Sequence, residues 1–321
     1  MSAKKVLLIG SNGLLGQKIA DLLLRGTAYD LTLASLASES SRKLPSTSYL
    51  QLDICVKKDV KKVIQAVEPE IIVNAAAMTN VDACETRRED AWKINVEGVE
   101  NIIDGARKSG AKIFHVSTDY LFDGKEGPYD ENSRPEPINY YGKTKLASEN
   151  ALRASGLDYF VARTIVLYGY ATGAKLNFAT WLIQSLEKNS AVRIVDDQFS
   201  NPTLADDLAY GIMRGIEMKR SGFYNIAGRD IVNRFEFSLK LARVFGFDPS
   251  LISAIKTKQL KQPAARPLKS GLVTLKAEVE LGIKPSTVDQ GLMVLKNQIS
   301  NHSKRMADSA PVPGPSGRHK S

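Results

Sequence analysis

A tyrosine and a lysine spaced four residues apart, Tyr141 and Lys145, have the side chains needed for proton transfer. Residues four apart in a helix lie on the same face, so the two groups can act on one substrate atom. A free tyrosine has a pKa of about 10, and a neighbouring ammonium group favours the phenolate, which brings the phenol closer to neutrality as an acid or base. Of the tyrosines and lysines in this stretch, only Tyr141 and Lys145 have this spacing, since Tyr140 and Lys143 are three apart. The pattern predicts that Tyr141 is the proton donor to a substrate carbonyl and that Lys145 assists it.

A second polar group follows an apolar run, in the stretch His115-Val-Ser-Thr-Asp-Tyr120. Polar residues at the carboxyl end of a parallel strand face the crevice where ligands bind in α/β sheets. We therefore expect the hydroxyl of Thr118 to hold the substrate carbonyl and Asp119 to lie beside the substrate.

Three glycines, Gly10, Gly13 and Gly16, lie between the first apolar strand and the first amphipathic helix. Alone they are a weak signal, but in this place they are typical of a dinucleotide-binding βαβ unit. Gly10 permits the tight turn, Gly13 lets a pyrophosphate approach the backbone, and Gly16 allows the helix to pack closely on the sheet. The helix N-terminus then supplies amide donors for the phosphates. The loop predicts a nicotinamide dinucleotide, which would supply the hydride.

The end of the second strand favours NADPH over NADH. NAD sites place an acidic residue there to bind the ribose 2′-hydroxyl, but this chain has Leu33-Ala-Ser-Leu36, followed by Arg42 and Lys43. The absence of a carboxylate and the two nearby bases indicate a 2′-phosphate, although both residues could also be ordinary loop charges.

The elements that position these groups alternate between apolar strand-like runs and segments of helical period. This alternation predicts an α/β fold, a Rossmann-type doubly wound parallel sheet with a smaller C-terminal substrate-binding domain. It also predicts a long helix over Ala91 to Ser109 and a strand over Tyr159 to Leu167. From about Asn301 the composition changes to Ser, Pro, Gly and basic residues, which predicts a disordered tail. The predicted boundaries are 1–170 for the cofactor domain, with 204–228 returning to it, 171–203 and 229–299 for the smaller domain, and 300–321 for the tail.

The composition is that of an ordinary globular enzyme, with 321 residues of which 43 % are hydrophobic and 25 % charged. The net charge of +9 is spread along helices, a pattern that does not indicate nucleic-acid binding. No apolar run is long enough to span a membrane, and the short run Val6–Ile9 does not resemble a signal peptide. The two cysteines, Cys55 and Cys84, predict neither a disulfide framework nor a zinc site. We therefore expect a cytoplasmic protein that binds no metal, and a homodimer is possible.

The motifs together resemble the dTDP-4-dehydrorhamnose reductase family of extended short-chain dehydrogenases over roughly residues 5–295, and the glycine spacing resembles that of the extended members. The likeness is carried by Val73-Asn-Ala-Ala-Ala77, Val81-Asp82, Asn95-Val96, Ser117-Thr-Asp-Tyr-Leu-Phe-Asp-Gly124, Pro128-Tyr-Asp-Glu131, Tyr141-Gly-Lys-Thr-Lys-Leu146, Arg163-Thr164, Asn177-Phe178, Asp197-Gln-Phe199, Pro202-Thr203 and Arg266-Pro267.

This resemblance implies NADPH-dependent reduction of the C4 ketone of dTDP-4-dehydro-6-deoxy-L-mannose to dTDP-L-rhamnose. By matching position it implies that Thr118, Tyr141 and Lys145 are catalytic, and that Asn177 and Arg266, with Thr118 and Asp119, bind the sugar nucleotide. Asp53 would lie near the adenine, although it could simply cap a loop, and Asn177 and Arg266 could instead have structural hydrogen bonds. The predicted cofactor-binding set is Gly10, Asn12, Gly13, Leu14, Leu15, Gly16, Arg42, Asp53, Ile54, Ala75, Ala76, Ala77, Asn95, Tyr141 and Lys145.

Two alternative functions stay open, and the chain differs from the family pattern at one place. The chain also resembles the regulatory β subunit of methionine adenosyltransferase, which binds NADP and acts through a partner. A sugar-nucleotide dehydratase or epimerase is a further alternative. Dehydratases that resemble this chain have a second acidic residue directly after the Thr-Asp pair, but here Tyr120 follows Thr118-Asp119. The family often has a tryptophan shortly after its Arg-Thr pair, where this chain has Ile165-Val-Leu-Tyr168, and this departure concerns the sugar pocket.

Overall fold

The computed structural model describes residues 3–25 and 27–308, with no side-chain description for 304–308. A seven-stranded parallel sheet forms its centre, in the order β11-β6-β5-β4-β1-β2-β3. The strands are β1 (Lys4–Ile9), β2 (Tyr29–Ser35), β3 (Thr47–Gln51), β4 (Ile71–Asn74), β5 (Lys112–Thr118), β6 (Tyr159–Thr164), β7 (Leu167–Tyr168), β8 (Val192–Val195), β9 (Phe199–Ser200), β10 (Thr203–Leu204), β11 (Gly222–Asn225), β12 (Val232–Asn233) and β13 (Ile252–Ile255).

Helices cover both faces of this sheet, as in a doubly wound fold. They are α1 (Leu14–Leu23), α2 (Lys57–Val67), α3 (Val81–Thr86), α4 (Arg88–Trp92), α5 (Gly98–Ser109), α6 (Tyr140–Ala154), α7 (Phe178–Glu187), α8 (Ala205–Glu217), α9 (Arg234–Phe245), α10 (Leu275–Leu281) and α11 (Val288–Asp308). The strand order reverses between β1 and β4, and ligands of such sheets bind at the carboxyl ends of the strands near this point. The predicted Rossmann-type fold is confirmed.

Alternation along β1 shows how the sequence builds two cores. Val6 and Leu8 pack on one face with residues of α1 and α8, whereas Leu7 and Ile9 pack on the other with residues of α2 and α5. Because successive strand residues point to opposite faces, a strand covered on both sides must be apolar at every position. All four side chains are at most 1 % exposed.

A third core lies outside the central sheet. It joins α7, α9 and α11 with the two-stranded pair of β8 and β13. Tyr168 packs into it edge-on against Phe237, with 5.3 Å between the ring centroids. The chain enters this region after β6 and returns to the central sheet at β11, which pairs with β6.

The predicted long helix over Ala91–Ser109 is interrupted. A π-helical turn, Lys93–Glu97, separates α4 from α5. It contains Asn95, whose buried amide bonds to the loop after β4 and to α6, and such turns often occur near functional sites. Helical periodicity does not distinguish one wider turn from its neighbours.

Two further predicted boundaries were wrong. The strand expected over Tyr159–Leu167 stops at Thr164, because Val166 has a φ of 43°, which turns the chain out of the sheet. Disorder was expected from about Asn301, but α11 continues to Asp308; the rest of the predicted tail, 309–321, lies outside the described residues. Within the described ranges, none of the helices has the length and apolar character needed to cross a bilayer.

Candidate active site

The glycine loop forms a close turn between β1 and α1. Gly10 has a φ of 83°, and a Cβ there would lie 2.7 Å from the backbone nitrogen of Ala76. A Cβ on Gly16 would overlap the carbonyl oxygen of Gly10. The first helical residues, Leu14 and Leu15, follow directly, so their amides lie at the N-terminus of α1. These predicted cofactor residues form a cradle that side chains would fill, which fits the approach of a dinucleotide pyrophosphate.

Asn12 fixes the loop that follows β2. Its Nδ2 donates to the carbonyl of Glu39 at 2.9 Å, and its Oδ1 accepts from the amide of Ser41 at 3.0 Å. Arg42, next in the chain, is turned toward α1, where its guanidinium forms two hydrogen bonds of 2.6 and 3.0 Å with Asp21. Arg42, which was predicted to bind the 2′-phosphate, therefore already has an ion-pair partner in the protein. The sequence spacing did not indicate this pairing.

Asp53 and Ile54 have mainly structural contacts. Asp53 Oδ1 accepts from the amide of Cys55 at 2.9 Å, the loop-capping role left open above. Ile54 is 5 % exposed, its side chain fills the space beside Gly98, and its carbonyl accepts from Asn101.

The loop after β4 borders the glycine cradle. Ala75 donates its amide to the carbonyl of Ile9, and Ala76 and Ala77 follow it, half-buried, at the carboxyl edge of the sheet. Asn95 accepts from the amide of Met78 at 2.8 Å and donates to Thr144 Oγ1 at 3.0 Å. Asn95 thus ties this loop to α6, and its amide is occupied by protein partners.

The start of α6 packs against the end of β5. Asn139 caps the helix by accepting from the amide of Gly142 at 2.8 Å, and a Cβ on Gly142 would overlap the carbonyl of Tyr120. This close approach brings Tyr141 to within 5.7 Å of Tyr120, measured between ring centroids. The structure thereby places Tyr141 beside the end of β5, where the predicted substrate hydroxyl of Thr118 lies.

Tyr141 and Lys145 have a different electrostatic relationship from the one predicted. Burial raises the pKa of the Tyr141 phenol above its usual value, the Asp119 carboxylate raises it further, and the Thr118 hydroxyl opposes the rise. Lys145 is not among the main influences on this pKa, and its Nζ lies 3.0 Å from His115 Nε2. Burial also lowers the pKa of Lys145 to about 8. The main influences on the pKa of Tyr141 are thus burial and Asp119, which raise it, rather than the lysine charge that was expected to lower it.

Asp119, predicted to bind the substrate, contacts the predicted catalytic residue Thr118. It is 2 % exposed, accepting from Thr118 Oγ1 at 3.1 Å and from Ser270 Oγ at 2.6 Å. Burial raises its pKa to about 6, despite these two hydrogen bonds.

The two residues predicted on the sugar-nucleotide side are held by protein contacts. Asn177 caps α7, accepting from the amide of Thr180 at 3.2 Å and donating to the carbonyl of Gly169 at 2.8 Å. Arg266 forms a 2.8 Å ion pair with Asp82. The observed contacts of both residues are therefore structural. Arg266 also acts on Tyr120: burial raises the pKa of that phenol, and the Arg266 charge opposes the rise.

Sequence reasoning missed an arginine in this region. Arg234 begins α9 and lies over the ring of Phe178, 4.7 Å from its centroid. Burial lowers its pKa, while Tyr120 and Asp119 raise it. Within the described residues its guanidinium has no salt bridge, so it offers a positive charge near Asp119. Only position in the fold identifies it, since a basic residue at a helix start is common.

Two buried hydroxyls were also missed, those of Ser117 and Thr164. Neither has a hydrogen-bond partner within 3–25 and 27–308, although both are under 9 % exposed. Thr164 pairs in register with Thr118, so the two share one face at the carboxyl edge. Buried hydroxyls normally have hydrogen-bond partners. The hydroxyls of Ser117 and Thr164 are therefore suited to a polar ligand at the carboxyl edge of the sheet. Among the described residues no cluster of three or more His, Cys, Asp or Glu side chains is arranged to hold a metal ion.

Comparison with known proteins agrees with this geometry. Residues 4–300 match the family described as RmlD substrate binding domain. The chain is 30 % identical to the dTDP-4-dehydrorhamnose reductase of Escherichia coli, covering 92 % of this chain and 97 % of that one. It is also 30 % identical to a probable low-salt glycan biosynthesis reductase, Agl14, of Haloferax volcanii, covering 92 % and 98 %.

A solved structure extends the likeness to three dimensions. The dTDP-4-dehydrorhamnose reductase of Bacillus anthracis in complex with NADP superposes with a TM-score of 0.82 at 28 % identity, covering 92 % of this chain and 99 % of that one. With a family match that spans almost all of the described residues, the chain belongs to the RmlD substrate binding domain family, as its motifs had predicted.

Proposed function

We propose that the protein reduces the C4 ketone of dTDP-4-dehydro-6-deoxy-L-mannose to dTDP-L-rhamnose with NADPH. The observation that carries this proposal is the meeting of Tyr141 and Thr118 at the carboxyl edge of the sheet, in a chain of the RmlD family. The overall likeness to a relative solved in complex with NADP supports the cofactor.

The cofactor would be held by the Gly10–Gly16 loop, by the loop after β4 and, at its adenosine end, by the segment around Arg42. When bound, NADPH supplies the hydride. The unpaired hydroxyls of Ser117 and Thr164 lie at the same edge and are suited to hydrogen-bond polar groups there.

Tyr141 acts as the acid. Because burial raises its pKa, the side chain is a neutral phenol at physiological pH and retains the proton that the reaction needs. As the carbonyl gains the hydride, its oxygen becomes an alkoxide, a much stronger base than phenolate, and takes this proton. Thr118 holds the same oxygen and orients the carbonyl toward the phenol. The ketone thus gains one hydride and one proton and becomes an alcohol.

The substrate carries a diphosphate, which needs positive charge. Arg234 and Arg266 supply it near Tyr120, and the charge of each opposes the rise in the pKa of that phenol that burial causes. Burial is the main cause of the lowered pKa of Arg234, and repulsion from Arg266 lowers it further, which indicates that the two cations lie near each other.

The test is NADPH oxidation, followed by the absorbance of the reduced nicotinamide, with the ketosugar generated in situ and the product identified by mass spectrometry. Tyr141→Phe should lower kcat by about 100-fold or more while NADPH binding stays near normal. Tyr140→Phe is the matched control, since Tyr140 is adjacent and its ring packs against Arg88; it should keep near wild-type turnover.

Unchanged turnover in Tyr141→Phe would refute the assignment of the acid. NADPH binding without turnover of this ketosugar would refute the substrate and favour another sugar nucleotide or a regulatory role. A cytoplasmic location and a homodimer remain part of the proposal, and size-exclusion chromatography with light scattering tests the second.

A further inference from the structure

His115 is a buried histidine that the proposed reaction does not use. It lies on β5, is 1 % exposed, and has partners at both ring nitrogens. Asn74 Nδ2 lies 3.3 Å from its Nδ1. Its Nε2 lies 3.0 Å from Lys145 Nζ and 3.2 Å from Ser148 Oγ.

The hydrogen bonds around Asn74 decide which ring nitrogen carries the proton. The amide of Ala76, in the loop beside the glycine cradle, donates to Asn74 Oδ1 at 3.1 Å. Asn74 must therefore present its NH₂ group to the histidine, and an NH₂ group can only donate. His115 Nδ1 accepts this hydrogen bond, so the neutral ring carries its proton on Nε2.

An Nε2–H group needs an acceptor, and the structure offers two. Ser148 Oγ donates its own proton to the carbonyl of Lys145 at 2.8 Å, which leaves its lone pairs free to accept. Lys145 Nζ can accept only as a neutral amine, since an ammonium has no lone pair.

We propose that His115 is a positioning residue for Lys145: its Nε2–H, fixed by the chain of contacts from Ala76 through Asn74, holds the lysine nitrogen as a neutral proton acceptor. When Lys145 is protonated, the contact is lost, the Nε2–H turns to Ser148, and the ammonium is released toward Tyr141 one helical turn earlier. The cofactor-proximal loop thereby influences the protonation state of the Tyr-Lys pair.

The charged groups around this pair are few. Glu149 lies four residues after Lys145 on α6 and is paired with Arg163 of β6. Burial lowers the pKa of Lys145, and the Glu149 carboxylate opposes this fall. Burial holds the pKa of His115 well below its usual value, and the charge that Lys145 carries when protonated lowers it further, so the ring remains neutral. The residue of β4 that contacts His115 is the uncharged Asn74.

The direct test is nitrogen NMR of the cofactor-free full chain with ¹⁵N-labelled histidine. The chain has three histidines, His115, His302 and His319, and His115→Gln identifies the signals of the first. The expected result is a ring with a bare Nδ1 and a protonated Nε2 that does not titrate between about pH 6 and 9. A ring protonated on Nδ1, or a ring that titrates in this range, would overturn the proposal.

A pair of variants tests the consequence for Lys145. The amide nitrogen of Gln can replace the Nε2–H, whereas that of Asn reaches only the Nδ1 position. His115→Asn should therefore shift the alkaline limb of the kcat–pH profile upward by about half to one unit, the worth of one neutral hydrogen bond. His115→Gln should keep the wild-type limb, as should His302→Gln on α11. An equal shift in His115→Asn and His115→Gln, or none in either, would contradict the role.

The kinetic arm rests on the proposed function, but the NMR arm does not. If the wild-type protein fails to turn over the ketosugar, the proposed function falls, and the tautomer of His115 is still decided by its nitrogen signals. If turnover is normal and the tautomer is wrong, only the inference about His115 falls.

Discussion

Arg163 of β6 and Glu149 of α6 form a buried ion pair with two parallel hydrogen bonds, of 2.8 and 3.0 Å. Their side chains are 2 % and 0 % exposed. Arg163 also donates to the carbonyl of Glu131 at 3.1 Å. The pair thus joins the helix that carries Tyr141 and Lys145 to the central sheet, one turn beyond the lysine.

Removing one partner of this pair should destabilise the fold strongly. Glu149→Gln leaves the Arg163 guanidinium buried without its counter-charge, which costs about 3–5 kcal/mol. Urea unfolding measures the change. Asp90→Asn is the matched control, because it breaks an exposed pair with Arg87, whose side chains are 64 % and 49 % exposed, and should change the free energy of unfolding by under about 1 kcal/mol. Similar losses in both variants would show that burial does not set the value of the Arg163–Glu149 pair.

Asp119 should make stability depend on pH. Its pKa is about 6 in the folded protein, above the usual value of a carboxyl, because burial disfavours its charge. The folded protein therefore binds this proton more tightly than the unfolded chain. The stabilisation is complete below about pH 4 and is lost as the pH rises through about 6. A shift of about two units corresponds to about 3 kcal/mol, as an order of magnitude.

The variant Asp119→Asn, which cannot ionise, should lack this loss. Urea unfolding of both proteins between about pH 4 and 7 gives the difference in their free energies of unfolding, which should grow in favour of the variant as the pH rises. A constant difference across this range would mean that Asp119 titrates normally in the folded protein.

Replacing Arg42 and Lys43 together with alanine should weaken NADPH binding more than NADH binding. Hydrogen bonds to charged groups contribute about 1.5–3 kcal/mol, so loss of one contact to a 2′-phosphate lowers NADPH affinity by about tenfold or more. Calorimetric titration with both cofactors measures the ratio. Because Asp21 pairs with Arg42, Asp21→Asn serves as the companion variant and should not weaken NADPH selectively.

Equal losses of NADPH and NADH affinity in the double variant would place recognition of the 2′-phosphate elsewhere. A selective loss in Asp21→Asn would show instead that the ion pair holds Arg42 in its binding position.

Sequence alone was sufficient for features set by neighbours in the chain. The glycine loop is recognisable because only residues without a Cβ fit between β1 and α1, and Gly16 shows this by its closeness to Gly10. Tyr141 and Lys145 were found by their spacing, since the helix repeat fixes which residues share a face. The parallel sheet followed from the alternation of strand-like and helical segments along the chain.

Only the tertiary structure decided which partner each polar group has. Lys145 contacts His115, 30 residues earlier, and Arg266 pairs with Asp82, 184 residues earlier. Asn177 satisfies its own helix terminus. Local spacing limits the direction of a side chain, but its partner depends on which distant elements pack against it, and burial then sets the pKa values of the groups enclosed there.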